Sequence, residues 1–217
     1  MSENSERLAH GYSHDTRGDG ATVVKRFQGP DADGRRATER AALTALAGLL
    51  PVPALLAAPD GALIMAHLPG THGQDLIAAG HAETVLRRCG ELLRELQAVD
   101  VRAVFPQAAA GTVLVHGDYG PNNMLFDPAA ILDWEWAHPG EPVEDLAWCE
   151  WIVRYHHPDA AQALDALFDG YGDRPAWTAR HAAMLRTCHA IAGVFAADAA
   201  TVEHWQRRIA VTAAWLC

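Results

Sequence analysis

Apolar residues recur along this chain in two rhythms, and the change from one to the other marks out its elements. Ala21 to Phe27 (ATVVKRF) is rich in β-branched residues and predicts a strand; the turn-rich stretch Arg7 to Gly20 before it ends in Gly18-Asp19-Gly20, a typical hairpin connection. Thr38 to Leu50 carries Leu43, Leu46, Leu49 and Leu50 at helical spacing, and Pro51 ends it. Val52 to Leu68 reads as two strands around Pro59-Asp60-Gly61, the second being Ala62 to Ala66. From His81 to Ala98 the period is helical again, with Val85, Leu86, Cys89, Leu92, Leu93 and Leu96 on one face. Helices are also predicted over Leu146–Tyr155 and Asp159–Phe168. Two more close the chain, lined by Met184, Leu185, Cys188, Ile191, Ala192 and Phe195 and by Val202, Trp205, Ile209 and Leu216, both read mainly as core.

Between the helical segments lies Val113 to Asp145, where short apolar runs at 113–115, 124–126 and 131–132 read as buried strands. A turn over residues 127–130 would set Met124 opposite Asp133 and leave Asn123 beside it. An amide oxygen and a carboxylate at the open end of a hairpin form a hard-oxygen pair suited to Mg²⁺, which takes its remaining ligands from water and phosphate. Asp118, five residues before Asn123 in a loop bent by Gly117, Gly120 and Pro121, is held near the same point. Three such groups around a divalent ion suit phosphoryl transfer, which needs positioning and charge neutralisation more than covalent help.

Composition narrows the setting. With 217 residues, half of them hydrophobic, the chain can bury a good core as one domain or two small lobes. No N-terminal apolar run suits a signal peptide and no stretch spans a bilayer, so a cytoplasmic protein is expected. Cys89, Cys149, Cys188 and Cys217 lack metal-like spacing and read as reduced thiols; the consecutive His156-His157 is a poor chelator and reads as a surface turn. The formal charge of −10 is uneven: twelve acids against Arg154 alone lie between His116 and Asp173. Nucleic acid is a poor partner for such a stretch, and a small cationic ligand is favoured if the acids line a cleft; a merely solvated acidic face is the alternative. Lys25 is the only lysine, against sixteen arginines, which marks it as a position needing a compact ammonium or else as an ordinary strand-end residue.

His116-Gly117-Asp118, Asn123, Ile131-Leu132-Asp133-Trp134-Glu135 and Gly140 to Ala147 together resemble the catalytic core of the aminoglycoside phosphotransferases and their choline-kinase-like relatives. The resemblance implies an α+β, bilobal protein-kinase-like fold. Its small β-rich nucleotide-binding lobe would occupy residues 1–66, and its mostly helical catalytic and acceptor-binding lobe residues 67–217. It implies ATP or GTP with Mg²⁺ as cofactors, Asp118 as the catalytic base, Asn123 and Asp133 as metal ligands, and Lys25 on the phosphates. Glu39, placed in a helical first turn where the dipole favours a carboxylate, would orient Lys25. The loop around Ser13 and His14 would cover the phosphates, and backbone groups of Ala66, His67 and Leu68 would meet the base. His116 and Asp145 would brace the catalytic loop, Asp145 also being placed to cap the helix it opens. Glu135, Asp169, Tyr171 and Glu203 are candidates for acceptor contact.

The implied activity is phosphorylation of a hydroxyl on a small, cationic molecule. An aminoglycoside-like antibiotic, with resistance as the setting, is the first expectation; choline or another amino alcohol is the metabolic alternative. A nucleotide-binding pseudokinase acting through partners is the non-enzymatic one. Gln97 stands where relatives carry a histidine, and the short connection over 98–115 leaves less room for acceptor-binding insertions. The motifs leave the oligomeric state open.

Overall fold

The computed structural model describes residues 6–8 and 14–216. Five short strands form the first sheet: β1 (Glu6–Arg7), β2 (Asp15–Gly18), β3 (Thr22–Arg26), β4 (Leu55–Ala57) and β5 (Ala62–Ala66), in the antiparallel order β1-β2-β3-β5-β4. The hairpin between β2 and β3 is tied by Asp19, whose Oδ1 accepts from the N–H groups of Ala21 at 3.0 Å and Thr22 at 2.7 Å. Register sets Lys25 opposite Leu63 and Val23 opposite Met65. Facing residues in an antiparallel pair share a side of the sheet, so the lone ammonium is on the apolar side.

Helix α1 (Ala32–Leu46) covers that side, burying Ala42, Leu43 and Leu46 together with Glu39. It begins at Ala32, before the expected Thr38, and Glu39 sits in its middle turns. The dipole therefore does not explain Glu39. The early start escaped the hydrophobic period because Asp33, Gly34, Arg35 and Arg36 are polar, yet Arg35 is buried.

The second part of the chain is mostly helical, with two small sheets. Its elements are β6 (Thr71–His72), α2 (Gly73–Ala78), α3 (Ala82–Gln97), β7 (Val113–Val115), β8 (Met124–Phe126), β9 (Ala130–Ile131), β10 (His138–Gly140), α4 (Val143–His156), α5 (Leu164–Tyr171), α6 (Trp177–Val194) and α7 (Ala199–Ala213). Strand β8 lies between β6 and β9, and β7 pairs with β10. In the β8–β9 hairpin Met124 faces Ile131, not Asp133, because the turn is confined to Asp127-Pro128. A register change of two keeps every side chain on its expected face. It carries Asp133 past the end of the pairing, where its φ of 64° turns the chain sharply.

The apolar stripe of α3 is buried as its period required, and one continuous core runs from Leu43 and Leu46 through α3 to Leu164, Leu167 and Phe168 of the α5 region. A second cluster joins α4, α6 and α7 around Trp148, Trp151, Met184 and Trp205. Leu216, expected in the core, is 85% exposed beyond the end of α7. Among the described residues, no helix is long and apolar enough to cross a membrane.

Helices α3 and α5 approach so closely that a Cβ on Gly90 would fall 2.1 Å from the Leu167 carbonyl oxygen, and one on Gly170 2.1 Å from that of Arg87. Backbone cannot yield as a side-chain tip can. Gly90→Ala is therefore expected to destabilise the protein by about 3 kcal/mol, lowering the melting temperature by roughly 6–12 °C. Gly193→Ala, with nothing within 4 Å, should leave it unchanged or slightly raised. Thermal unfolding of the two variants beside the parent checks this; equal melting temperatures would contradict the packing described.

Candidate active site

Lys25 is only 5% exposed, and a buried ammonium is costly unless carboxylates meet it. Its Nζ donates to Glu39 Oε2 at 2.6 Å and to Asp133 Oδ1, and lies 3.3 Å from Glu135 Oε2. Burial alone would depress the amine, but Asp133, Glu39 and Glu135 together hold its pKa well above the usual lysine range. Glu39 is pushed up to about 7, its burial outweighing the pull of Lys25. Glu135 goes the other way, to about 2: its own burial is overcome by the His14 hydrogen bond and by the charges of Lys25, His14 and Arg35.

Glu135 is thus a fastener between the sheet and the second part of the chain. One oxygen meets His14 Nε2 and the other accepts from Arg35 Nη1 at 3.3 Å. His14 Nδ1 accepts from the Gln28 N–H at 3.1 Å, and Arg35 Nε donates to the Pro30 carbonyl at 3.0 Å. This network engages both oxygens of Glu135.

The catalytic loop is held from both sides. Asp145, the third residue of α4, accepts from the His116 N–H at 2.6 Å and the Gly117 N–H at 3.0 Å, so it fastens the loop and does not cap its own helix. Burial raises its pKa to about 6 against those two bonds. The fully buried His116 places Nε2 2.8 Å from the Leu132 carbonyl and accepts from the Asp118 N–H through Nδ1 at 3.2 Å. Burial lowers its pKa to about 4, so the ring is neutral and both nitrogens are engaged in bracing. Gly117, at φ 84°, passes the Trp136 carbonyl so tightly that a Cβ would lie 2.3 Å from its oxygen. No other residue fits.

Asp118 emerges from this brace with its carboxylate aimed. Oδ1 accepts from Trp148 Nε1 and Oδ2 from Asn123 Nδ2, each at 2.8 Å. Burial pushes its pKa up to about 7, only partly countered by those bonds. Asn123 Nδ2 also reaches the Asp118 carbonyl, at 2.8 Å, which leaves its Oδ1 for another partner. The Leu132 N–H donates to the Asn123 carbonyl at 2.8 Å, locking the residue before Asp133 against the one that carries the amide.

Two clefts meet here. The smaller, about 310 Å³, is lined by Lys25, Glu39, Asn122, Asn123 and Asp133 at one end and by Val23, Met65, Ala66, His67, Leu68 and Leu125 at the other. The N–H groups of Ala66 and His67 are engaged by the carbonyls of Ala54 and Ala21, at 2.9 Å each. Among the described residues the Leu68 N–H has no such backbone partner. The larger cleft, about 1340 Å³, contains Asp118 and has an apolar wall built from Trp148, Trp151, Ile191, Phe195 and Trp205. Asn122 lines both. A hydrophobic pocket ending in hard oxygen donors and an ammonium is suited to a nucleotide, and the adjoining cleft to a second substrate.

A family model described as "Phosphotransferase enzyme family" matches residues 5–112 and 102–183. The chain belongs to the phosphotransferase enzyme family. No curated protein matches it. Among solved structures, a macrolide 2'-phosphotransferase from Brachybacterium faecium superposes with a TM-score of 0.66 at 20% identity, over 94% of this chain and 91% of its own. An aminoglycoside phosphotransferase, APH(2")-IIa in complex with gentamicin, gives 0.74 at 14% identity, over 95% and 91%. A choline/ethanolamine kinase family protein from Mesorhizobium loti gives 0.66 at 16%, over 98% and 88%. The bilobal kinase-like fold is common to all of them.

In this phosphotransferase, Lys25, Glu39, Asp118, Asn123, Asp133, Ala66, His67 and Leu68 come together around the two clefts. Ser13 lies outside the described residues. Asp169 does not reach either cleft: it is exposed and pairs with Arg87 at 3.4 Å. The Tyr171 hydroxyl donates to Gln97 Oε1 at 2.7 Å, and Gln97 in turn donates to the Pro142 carbonyl at 2.9 Å, so both support the start of α4. Glu203 is exposed and pairs with Arg207 at 2.6 Å, one helical turn along α7. Four functional residues went unseen in the sequence: His14 as a partner of Glu135, Arg35, Trp148 and Asn122. Trp148 alone left a signal, since an indole N–H that is to be buried needs an acceptor.

Lys25→Met would leave three carboxylates gathered with no ammonium between them. A loss of about 3–5 kcal/mol at neutral pH is expected. The deficit should shrink below the carboxylate range, where Glu39, raised in the fold, is already protonated and where Glu135, whose stabilising contribution is present above its unfolded value, loses it as pH falls towards 2. Urea unfolding of both proteins at a series of pH values measures it, and a deficit independent of pH would contradict the charge cluster.

Proposed function

We propose that the protein transfers the γ-phosphoryl group of ATP or GTP to a hydroxyl of a small molecule held in the larger cleft. The observation that carries this reading is the place of Asp118: a braced carboxylate of raised pKa, in the larger cleft, bonded to the asparagine that lines the smaller one. A base with a pKa of about 7 takes a hydroxyl proton far better than an ordinary carboxylate does. Lys25, oriented by Glu39, grips phosphate oxygens, and Ala66 to Leu68 lie along the base, with the lobes divided at residue 66.

Asn123 Oδ1 and the Asp133 carboxylate fit Mg²⁺, being hard oxygens at one end of the smaller cleft beside a lysine that already compensates part of the acid. Bound there, the ion supplies charge neutralisation on the transferred phosphate. Nucleoside triphosphates place the reaction in the cytoplasm.

An aminoglycoside-like acceptor, and hence antibiotic resistance, is the reading that the gentamicin-bound relative supports. The tryptophan wall favours a second: an acceptor with an extended apolar face, such as a macrolide. Choline or another amino alcohol would fill little of so large a cleft.

Incubating the protein with Mg²⁺, ATP or GTP and a panel of aminoglycosides, macrolides and amino alcohols, then weighing the products, is expected to show one added phosphate on members of one class. Asp118→Asn should lower kcat by roughly 10²–10⁴ while stabilisation by Mg·ATP persists. Because the carboxylate is neutral below about 7 and charged above it, kcat should rise with pH and level off past that value. Nucleotide binding with no turnover on any acceptor would favour a pseudokinase instead.

A further inference from the structure

We propose that Arg208 forms an oxyanion subsite at the far wall of the acceptor cleft, binding a carboxylate or phosphate group carried by the acceptor. The inference rests on reading the larger cleft as the acceptor site. It concerns the group that meets that wall, not the charge of the acceptor as a whole.

The cationic expectation depended on the acids between His116 and Asp173 lying free along a cleft. The structure gives most of them partners, some of them within the cleft itself. Glu150 is fully buried between Arg154, at 2.8 Å, and Arg180, at 2.7 Å. Asp165 pairs with Arg174 at 2.7 Å on the outer surface. Within the large cleft, Glu141 pairs with Arg186 at 3.0 Å, Glu144 with His138 at 3.1 Å, and Asp145 holds the catalytic loop. Arg35, a third arginine lining the cleft beside Arg186 and Arg208, is held by Glu135.

Arg208 differs from all of these. It lines the cleft, yet among the described residues it makes no ion pair, and its Nε is buried with no hydrogen-bond partner. Its guanidinium carbon lies 4.6 Å from the ring centroid of Trp205, 5.1 Å from that of Tyr155 and 5.6 Å from that of Trp151. Stacking on aromatic rings uses the face of a guanidinium and leaves its in-plane N–H donors for an oxyanion. His156, close by, is lowered to about 4, by burial first and then by the charge of Arg208. A cationic group entering here would be repelled by Arg208, and an oxyanion would meet its unpaired donors.

The same wall ties the subsite to the reaction. Trp148, which donates to Asp118, stacks on Trp151 with centroids 4.3 Å apart, and Arg208 lies over both Trp151 and Trp205. A hydroxyl at Asp118 and an anion at Arg208 would therefore be joined by an apolar body lying along the indoles.

The test titrates p-(hydroxymethyl)benzoate, its methyl ester and p-(hydroxymethyl)phenyl phosphate into the full chain by calorimetry, with Mg·ATP thermal shifts recorded alongside. The parent should bind at least one of the two anions about tenfold or more tighter than the ester, and which anion is preferred tells carboxylate from phosphate. Arg208→Gln should erase that preference, and Arg208→Lys should retain part of it, with the Mg·ATP shift unchanged in both. Equal affinity of the parent for anions and ester, or an Arg208→Gln loss that is the same for all three probes, would overturn the proposal. Absence of an Mg·ATP shift in the parent would count against the kinase reading alone, because the anion preference is read without nucleotide.

Discussion

Burying the ammonium of Lys25 is tolerable only because three carboxylates reach it from separate parts of the chain. One comes from the middle of α1 and two from the stretch following β9. The first sheet contributes the cation and the catalytic segment contributes most of the countercharge, so the relation between the two parts is set electrostatically at the point where nucleotide phosphates would lie. Arg35 and His14 extend the same network and fasten Glu135 from the sheet side. Because desolvated charges interact strongly, small displacements of either part would be costly.

From that seam the rest of the site follows by short covalent and hydrogen-bonded steps. Asp133 lies one residue beyond Leu132, whose N–H is bonded to Asn123 and whose carbonyl meets His116. His116 accepts from the backbone of Asp118, and Asp145 clamps the same turn from α4. Asp118, Asn123 and Asp133 are thus positions on one hydrogen-bonded framework, and the neutral state of His116 keeps that framework free of an unpaired charge. Trp148 carries the framework into the larger cleft, so the side chain that bonds Asp118 also lines that cleft.

Much of this was legible in the sequence where a local rule governed it. The period of α3, the β-branched run of β3 and the glycine-bent loop holding Asp118 and Asn123 all declare themselves within a few residues. Glu39 was expected in a helical first turn and as the partner of Lys25; it sits mid-helix, so the pairing holds and the dipole argument does not. What stayed hidden depends on contacts between distant positions: His14 with Glu135, Arg35 with Glu135, Trp148 with Asp118. The six residues of α2 are too few to show a period. Charge misled for the same reason, because a count of acids does not say that Glu150 is internal or that Glu141 and Glu144 already have partners.

The central claim is that the one ammonium of this chain faces the phosphates of a bound nucleotide. It is tested most directly by treating the full chain with an amine-reactive acyl-phosphate analogue of ATP and locating the modified peptides by mass spectrometry. Modification of Lys25, prevented by excess Mg·ATP, is the expected result. Failure to label Lys25, or labelling that Mg·ATP leaves undiminished, would contradict it.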